Sequence, residues 1–502
     1  MHTRFLISIA LISAVLLIAN CQQNEQADAR QLTEKYCGSC HLTPNPAELD
    51  KQTWQKQVLP KMAEKLGLAY YNGEYFTDTA STITLNNWQQ IIHYYTTAAP
   101  AAQPLQNRPP ITQFTDHFKV KEGVMPGIYP STVWIKIDPG NKQVYAANVY
   151  DSLFTVFDTS LTVMAQNNIH RVAVDCSFDN NLLQPGERQG VLTHIGILYP
   201  NNVKTGSLER FTLTTSGKLQ LQDTIAAALP RPVQSTGADI NNDGLKDYIV
   251  CGFGNEQGAL LYYRQQATHR FEQQVVQALP GAIKAYVDDY DADGLPDIIA
   301  LFAQAREGIY VFRNKGNGSF ESRTLLSFPA VYGSMYFEWK DVNGDGLKDI
   351  IYTCGDNLDY TAHVLKPYHG VYIYLNKGND RFEQACFFPI HGCYKAMTKD
   401  FDKDGDMDIA AIAYFPDRKQ QPEESFVYLE NKGGFHYTAS TIKEFNSGNW
   451  MVMDAADVDG DGDDDIVLGS MLLTITTTSI TIAPGKKEKP SLLLLVNQTN
   501  QH

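Results

Sequence analysis

A chain of 502 residues is too long for one ordinary hydrophobic core unless a unit repeats, so several domains or a repeat architecture are expected. Its hydrophobic content of 43% is globular, and its net charge of −15 excludes a nucleic-acid partner, whose phosphates require clustered Lys and Arg. Much of the acid falls in short Asp-rich segments, where divalent cations would neutralise it.

Arg4 precedes an apolar run from Phe5 to Ala19 that is too short for a comfortable membrane span, which is the pattern of a signal peptide. The run ends Leu17-Ile18-Ala19-Asn20-Cys21, and small residues before a Cys resemble a lipobox. That resemblance implies an exported bacterial lipoprotein: a signal peptide over 1–20, a diacylated Cys21, and a polar tether over 21–29. Gln22 stands where an Asp favours inner-membrane retention, so the expected location is the cell envelope, lipid-anchored at the outer membrane.

Tyr36-Cys37-Gly38-Ser39-Cys40-His41 contains a C-x-x-C-H motif. Two thiols at this spacing reach the two vinyl groups of one porphyrin, while the adjacent imidazole turns onto the iron. One covalent haem c is therefore expected, with Cys37 and Cys40 as thioethers and His41 as proximal ligand. A redox C-x-x-C would need a βαβ setting, and a zinc site a second Cys/His pair, and neither follows in the sequence. Trp54, Val58, Met62 and Leu66 recur at helical spacing, and a second helix fits Asn86 to Thr97, with Trp88, Ile91, Ile92 and Tyr95 on its apolar side. Over 30–100 the chain resembles a small all-α monohaem cytochrome c, whose members place a Met or His on the far side of the iron. Met62 is the candidate there, with His93 as its rival and simple core packing of Met62 as the alternative. Pro-rich residues 101–110 read as a stiff linker.

Five segments then share the pattern D-x-[DN]-x-D-G-x-x-D, with starts 50, 52, 59 and 57 residues apart, a period that suits four-stranded blades. Oxygen ligands fall at positions 1, 3, 5 and 9: Asp239, Asn241, Asp243 and Asp247; Asp289, Asp291, Asp293 and Asp297; Asp341, Asn343, Asp345 and Asp349; Asp400, Asp402, Asp404 and Asp408; Asp457, Asp459, Asp461 and Asp465. With the carbonyl at position 7 they suit one Ca2+ ion at about 2.3–2.6 Å, and the Gly at position 6 allows the sharp turn. Position 12 is Val250, Ala300, Tyr352, Ala411 and Leu468, where an EF-hand needs Glu. About five divalent ions would bring the net charge of −15 to about −5.

The repeats resemble the FG-GAP or VCBS repeats of integrin-type propellers over residues 235–500. Two further units at 133–164 and 172–221 keep the strand rhythm without the loop, so the expected fold is mainly β: a seven-bladed, calcium-binding β-propeller over 111–502 behind the small helical domain. The last unit lacks a fourth strand, and Phe114 to Val120 supplies the missing one, closing the ring. Cys386 and Cys393 are near enough in sequence to form a disulfide. On the face away from the Asp-rich turns, Asp356, Asp359, Lys366, His369 and Arg306 are candidates for a polar ligand pocket.

No Ser/His/Asp order, phosphate loop or zinc signature points to hydrolysis. Three functions stay open: haem-based electron transfer with a redox partner protein docked on the propeller; a dehydrogenase oxidising a small molecule or sugar at the propeller mouth; and a surface module or adhesin binding protein or glycan. Haem is a one-electron carrier and no hydride-cofactor site is visible, which favours an electron carrier over an enzyme with its own substrate site.

Overall fold

The structure, a computed structural model, describes residues 27–104, 108, 110–125, 129–179, 187–268, 270–316, 318–360, 364–472 and 489–501. The signal peptide and Cys21 lie outside the described residues. Among the described residues, no helix is long and apolar enough to cross a membrane. The chain divides into two compact units: residues 1–106 with 329–331 and 358–367, and the remainder.

In the first unit, residues 27–36 are helical, so the last part of the expected tether is ordered. Residues 51–65 form one continuous helical run, and Leu85–Ala98 a second long helix capped by Thr84. The unit is not all-α, because Leu68–Tyr71 and Glu74–Thr77 pair as an antiparallel hairpin. The expected apolar stripe also shifts. Trp54–Val58 is a π-turn, which adds one residue before the next α-turn, so the buried stripe runs through Trp54, Leu59 and Ala63, with Thr53 and Pro60 beside it, instead of Trp54, Val58 and Met62. The Trp54 and Tyr95 rings pack tilted by 39° with centroids 4.2 Å apart, and their polar tips bond the carbonyls of Pro46 and Pro44 at 2.9 and 3.0 Å. These two bonds pin the chain just after the C-x-x-C-H turn.

The second unit is a seven-bladed β-propeller made of seven antiparallel four-stranded sheets. Blades 1 to 6 begin with the strands Thr132–Asp138, Ala173–Phe178, Pro232–Ala238, Ala282–Asp288, Ser334–Lys340 and Cys393–Lys399, and blade 7 with Trp450–Ala456. Each of these strands packs on the first strand of the next blade, and the seventh on the first, which makes them the inner ring. The second strands of the repeat blades are buried along their whole length, from Asp247–Gly252 to Asp465–Ser470. Such continuously apolar runs are what a sheet sandwiched between neighbouring blades requires.

The ring closes between chain ends. Leu492–Asn497 in blade 7 pairs with Phe118–Gly123, Phe118 facing Asn497 and Gly123 facing Leu492. The closing strand thus starts four residues later than expected. Phe118 is the aromatic that fills the space between Phe401 and Tyr428, at 5.9 and 5.4 Å, while Phe114 is half exposed and bridges Thr441 of blade 6. Cys386 and Cys393 are both free thiols, on the outer strand of blade 5 and the inner strand of blade 6, so no disulfide joins them.

Phe118→Ala opens a cavity at this seam, and a loss of about 3 kcal/mol in denaturant unfolding is expected. A loss below about 0.5 kcal/mol would mean the closure contributes little to the ring.

Candidate functional site

Each Asp-rich segment is the turn between the first and second strands of its blade, and all five close in the same way. The position-1 carboxylate accepts the amide of the position-6 glycine: Asp239 from Gly244, Asp289 from Gly294, Asp341 from Gly346, Asp400 from Gly405 and Asp457 from Gly462, at 2.8–3.2 Å. The position-5 carboxylate accepts the position-7 amide, as Asp243 does from Leu245 and Asp461 from Asp463. The position-6 glycines hold φ between 81° and 97°, a left-handed conformation that a side chain would strain.

Position 9 has a second task that the motif alone does not reveal. Asp247, Asp297, Asp349, Asp408 and Asp465 are wholly buried. In each, Oδ2 accepts the position-2 amide of its own loop (Ile240, Tyr290, Val342, Phe401 and Val458) at 2.9–3.2 Å. Oδ1 accepts the amide at the end of the third strand (Gln265, Asn314, Asn376, Asn431 and Asn497) at 2.7–2.8 Å. One carboxylate therefore ties loop, second strand and third strand together. Burial pushes the Asp408 carboxyl up to about 6 and that of Asp465 up to about 7.

The third-strand asparagines were not singled out by sequence reasoning. Asn314 Nδ2 reaches the Ile240 carbonyl of the preceding blade, and Asn497 Nδ2 that of Phe401, each at 2.8 Å. The available signal was an Asn-Lys-Gly run at 314–316, 376–378 and 431–433, just after a β-rich stretch.

The donor set suits a hard divalent cation. Asp289, Asp291 and Asp297 offer oxygens within 4.8 Å of one another, as do Asp400, Asp402 and Asp404, and Asp457, Asp459 and Asp465. Ligands about 2.3–2.6 Å from one ion lie within that spread. Asp400 Oδ1 and Asp459 Oδ1 are buried acceptors with no hydrogen-bond partner among the described residues, a costly state that a cation relieves. Blade 1 keeps an acid at the same turn and meets it with protein: Arg188 Nε and Nη2 grip Asp138 at 2.8 and 2.5 Å. A guanidinium balances the acid there.

In the first unit, the C-x-x-C-H turn follows directly on the helix ending at residue 36. A Cβ at Gly38 would lie 2.3 Å from the Glu34 carbonyl, so the turn needs glycine. Cys37 is buried, Cys40 exposed, and both are free thiols. His41 is half-buried and its Nδ1 lies 3.0 Å from the Leu42 carbonyl, which accepts, so the neutral ring keeps its lone pair on Nε2. Met62 is half-buried on the helical turn Leu59–Lys65, and His93 is exposed on the outer side of the long helix. Leu42, Tyr71 and Phe76 are each at least half exposed, an unusual apolar surface for so small a unit.

The five ligand-face candidates fall in different units. Asp359 and Lys366 belong to the first unit, and Arg306, Asp356 and His369 to the second. Lys366 is buried, donating to the Val331 carbonyl at 2.8 Å and lying over the Tyr360 ring; the Asp359 carbonyl accepts from Lys61. Asp356 accepts from the Tyr394 hydroxyl, His369 Nδ1 from the Gly392 amide, and Arg306 is exposed.

A family model described as FG-GAP-like repeat matches residues 239–300, 289–352 and 400–468, spans that take in all five loops. These segments are FG-GAP-like repeats. No curated protein matches the chain. Among solved structures, BBS1N in complex with ARL6DN is 11% identical, with 57% of this chain and 75% of that one covered at a TM-score of 0.37. The S. cerevisiae complex of Dbp5 bound to Nup159, Gle1, IP6 and ADP is 11% identical, with 78% and 98% covered at a TM-score of 0.42. An FG-GAP propeller is compatible with binding a protein or a ligand.

Asp349→Asn turns an amide NH2 toward the Val342 or Asn376 N–H. Measured in excess chelator, where any metal contribution is absent, it is expected to lower unfolding stability by about 2 kcal/mol. An unchanged midpoint would mean that the carboxylate matters only as a metal ligand.

Proposed function

We propose that this protein is a cell-envelope lipoprotein that transfers single electrons through one covalent haem c and uses a calcium-stabilised propeller to bind a redox partner or ligand. The observation that carries the reading is His41: its Nδ1 is committed to a backbone carbonyl, which leaves Nε2 as the nitrogen open to a metal, and two free thiols precede it at haem-attachment spacing. Cys37 and Cys40 would hold the porphyrin, His41 would ligate the iron, and Leu42, Tyr71 and Phe76 are apolar surface that a porphyrin would cover. Haem supplies one-electron chemistry, and the chain's own residues bind it, orient the imidazole and limit access of water. Met62, displaced from the core by the π-turn, is the candidate sixth ligand. Cys21 would carry the lipid.

In the propeller, the five FG-GAP-like loops would each take one Ca2+, which lets clustered carboxylates stay ionised side by side. The metal's part is structural, and the loop-free face is left for binding.

An alkaline pyridine haemochrome spectrum after acid-acetone extraction tests the haem, using protein made in a periplasm equipped for haem ligation. A c-type band retained by the wild-type polypeptide and lost in the Cys37→Ala, Cys40→Ala double variant is expected. Absence of retained haem would leave a binding propeller with no redox role. Calcium is tested separately: excess chelator is expected to lower the melting temperature by at least about 10 °C, reversed by added Ca2+ but not by Mg2+, which demands tighter octahedral geometry. No shift with chelator would count against a structural metal.

A further inference from the structure

Where blade 5 meets blade 6, a buried polar cluster serves neither the Asp-rich loops nor the haem motif. Arg108 enters it ahead of the first propeller strand, with 7% of its side chain exposed. Arg108 Nη1 donates to Glu424 Oε1 at 2.8 Å and lies 2.7 Å from His391 Nδ1. Glu424 is fully buried, and its Oε2 accepts the amides of His391 and Asp417 at 3.2 and 3.3 Å. When His391 Nδ1 accepts from the Arg108 guanidinium, which can only donate, its Nε2 carries the ring hydrogen; Nδ1 also lies 3.0 Å from Glu424 Oε2.

That Nε2–H, together with Arg108 Nε and Nη2, is buried and meets no acceptor among the described residues. Asn357, 4% exposed, also leaves both side-chain amide atoms without a partner. It sits two residues beyond Gly355, which is packed so tightly on the blade 6 strand that a Cβ there would lie 2.2 Å from the Cys393 nitrogen. Nearby carboxylates are already committed: Glu424 as above, and Asp417 Oδ1 to the Lys419 and Gln420 amides at 3.1 Å. The cluster thus leaves the Arg108 Nε and Nη2 donors buried with no carboxylate free to meet them, a state folded proteins avoid unless something fills the gap. Moreover, Nε and Nη2 form the side-on edge of the guanidinium, two parallel N–H groups whose spacing matches the two oxygens of a carboxylate.

We propose that this cluster is a binding site for a small carboxylate, held bidentate by Arg108 Nε and Nη2, with His391 and Asn357 supplying the flanking polar groups. The site rests on the propeller's role as a binding module and is independent of haem and calcium, so its failure would leave those two readings intact. Glu424 serves as a positioning residue, holding Arg108 by the nitrogen that the ligand does not use.

The test is calorimetric titration of the full chain with sodium acetate, and with acetamide as the neutral isostere, at constant ionic strength. Saturable binding of acetate, at least tenfold tighter than acetamide, is expected. Arg108→Lys keeps the charge but loses the fork, and should weaken acetate at least tenfold. No saturable binding, equal affinity for acetamide, or an unaffected Arg108→Lys variant would overturn the proposal. If that variant fails to fold, a crystal structure of the unaltered chain grown in acetate decides: two carboxylate oxygens on Nε and Nη2 support the site, and ordered water only, or binding at crystal concentration only, overturns it.

Discussion

Five carboxylates with no exposure to solvent, at Asp247, Asp297, Asp349, Asp408 and Asp465, set the shape of the repeat blades. Each receives one amide from its own loop and one from the end of the third strand, so the turn cannot move without the sheet. A charged acceptor with two good donors contributes about 1.5–3 kcal/mol per bond, but only by burying an ion, which costs several kcal/mol unless something compensates. The raised carboxyls of Asp408 and Asp465 are the sign of that cost. A divalent cation a few ångströms away is the natural compensation, and the unpartnered oxygens of Asp400 and Asp459 face the same deficit.

Blade 1 supports this reading from the opposite direction. Its turn holds a buried Asp138 that accepts from the Gly140 amide and the Tyr145 hydroxyl, much as the repeat loops do. Arg188, contributed by blade 2, closes on that acid with two nitrogens, and the pairing raises the guanidinium further above its ordinary value. The same electrostatic demand is met by a side chain in one blade and, in the proposed function, by an ion in five.

The repeat architecture was legible in the sequence because every blade writes the same local chemistry: an acidic turn with a Gly at its sixth position, then a short apolar run that is buried on both faces. Blades 1 and 2 were legible from strand rhythm alone. What stayed hidden depends on partners far apart in the chain. Nothing local indicates that Asn497 reaches the Phe401 carbonyl, or that Arg108, in a stretch that reads as a solvated linker, pairs with Glu424. The π-turn at Trp54–Val58 was missed because helical spacing assumes 3.6 residues per turn, and one extra residue moves Met62 off the buried face. The closing strand was foreseen but placed early, since Phe114 and Phe118 look alike until Phe401 and Tyr428 show which one fits.

The most direct measurement is the number of Ca2+ ions retained per chain, by elemental analysis after equilibrium dialysis against micromolar calcium. About five ions are expected, falling by one when Asp459 and Asp461 are both changed to Asn. Retention of fewer than about two would contradict the account and leave the buried carboxylates to be balanced by the protein alone.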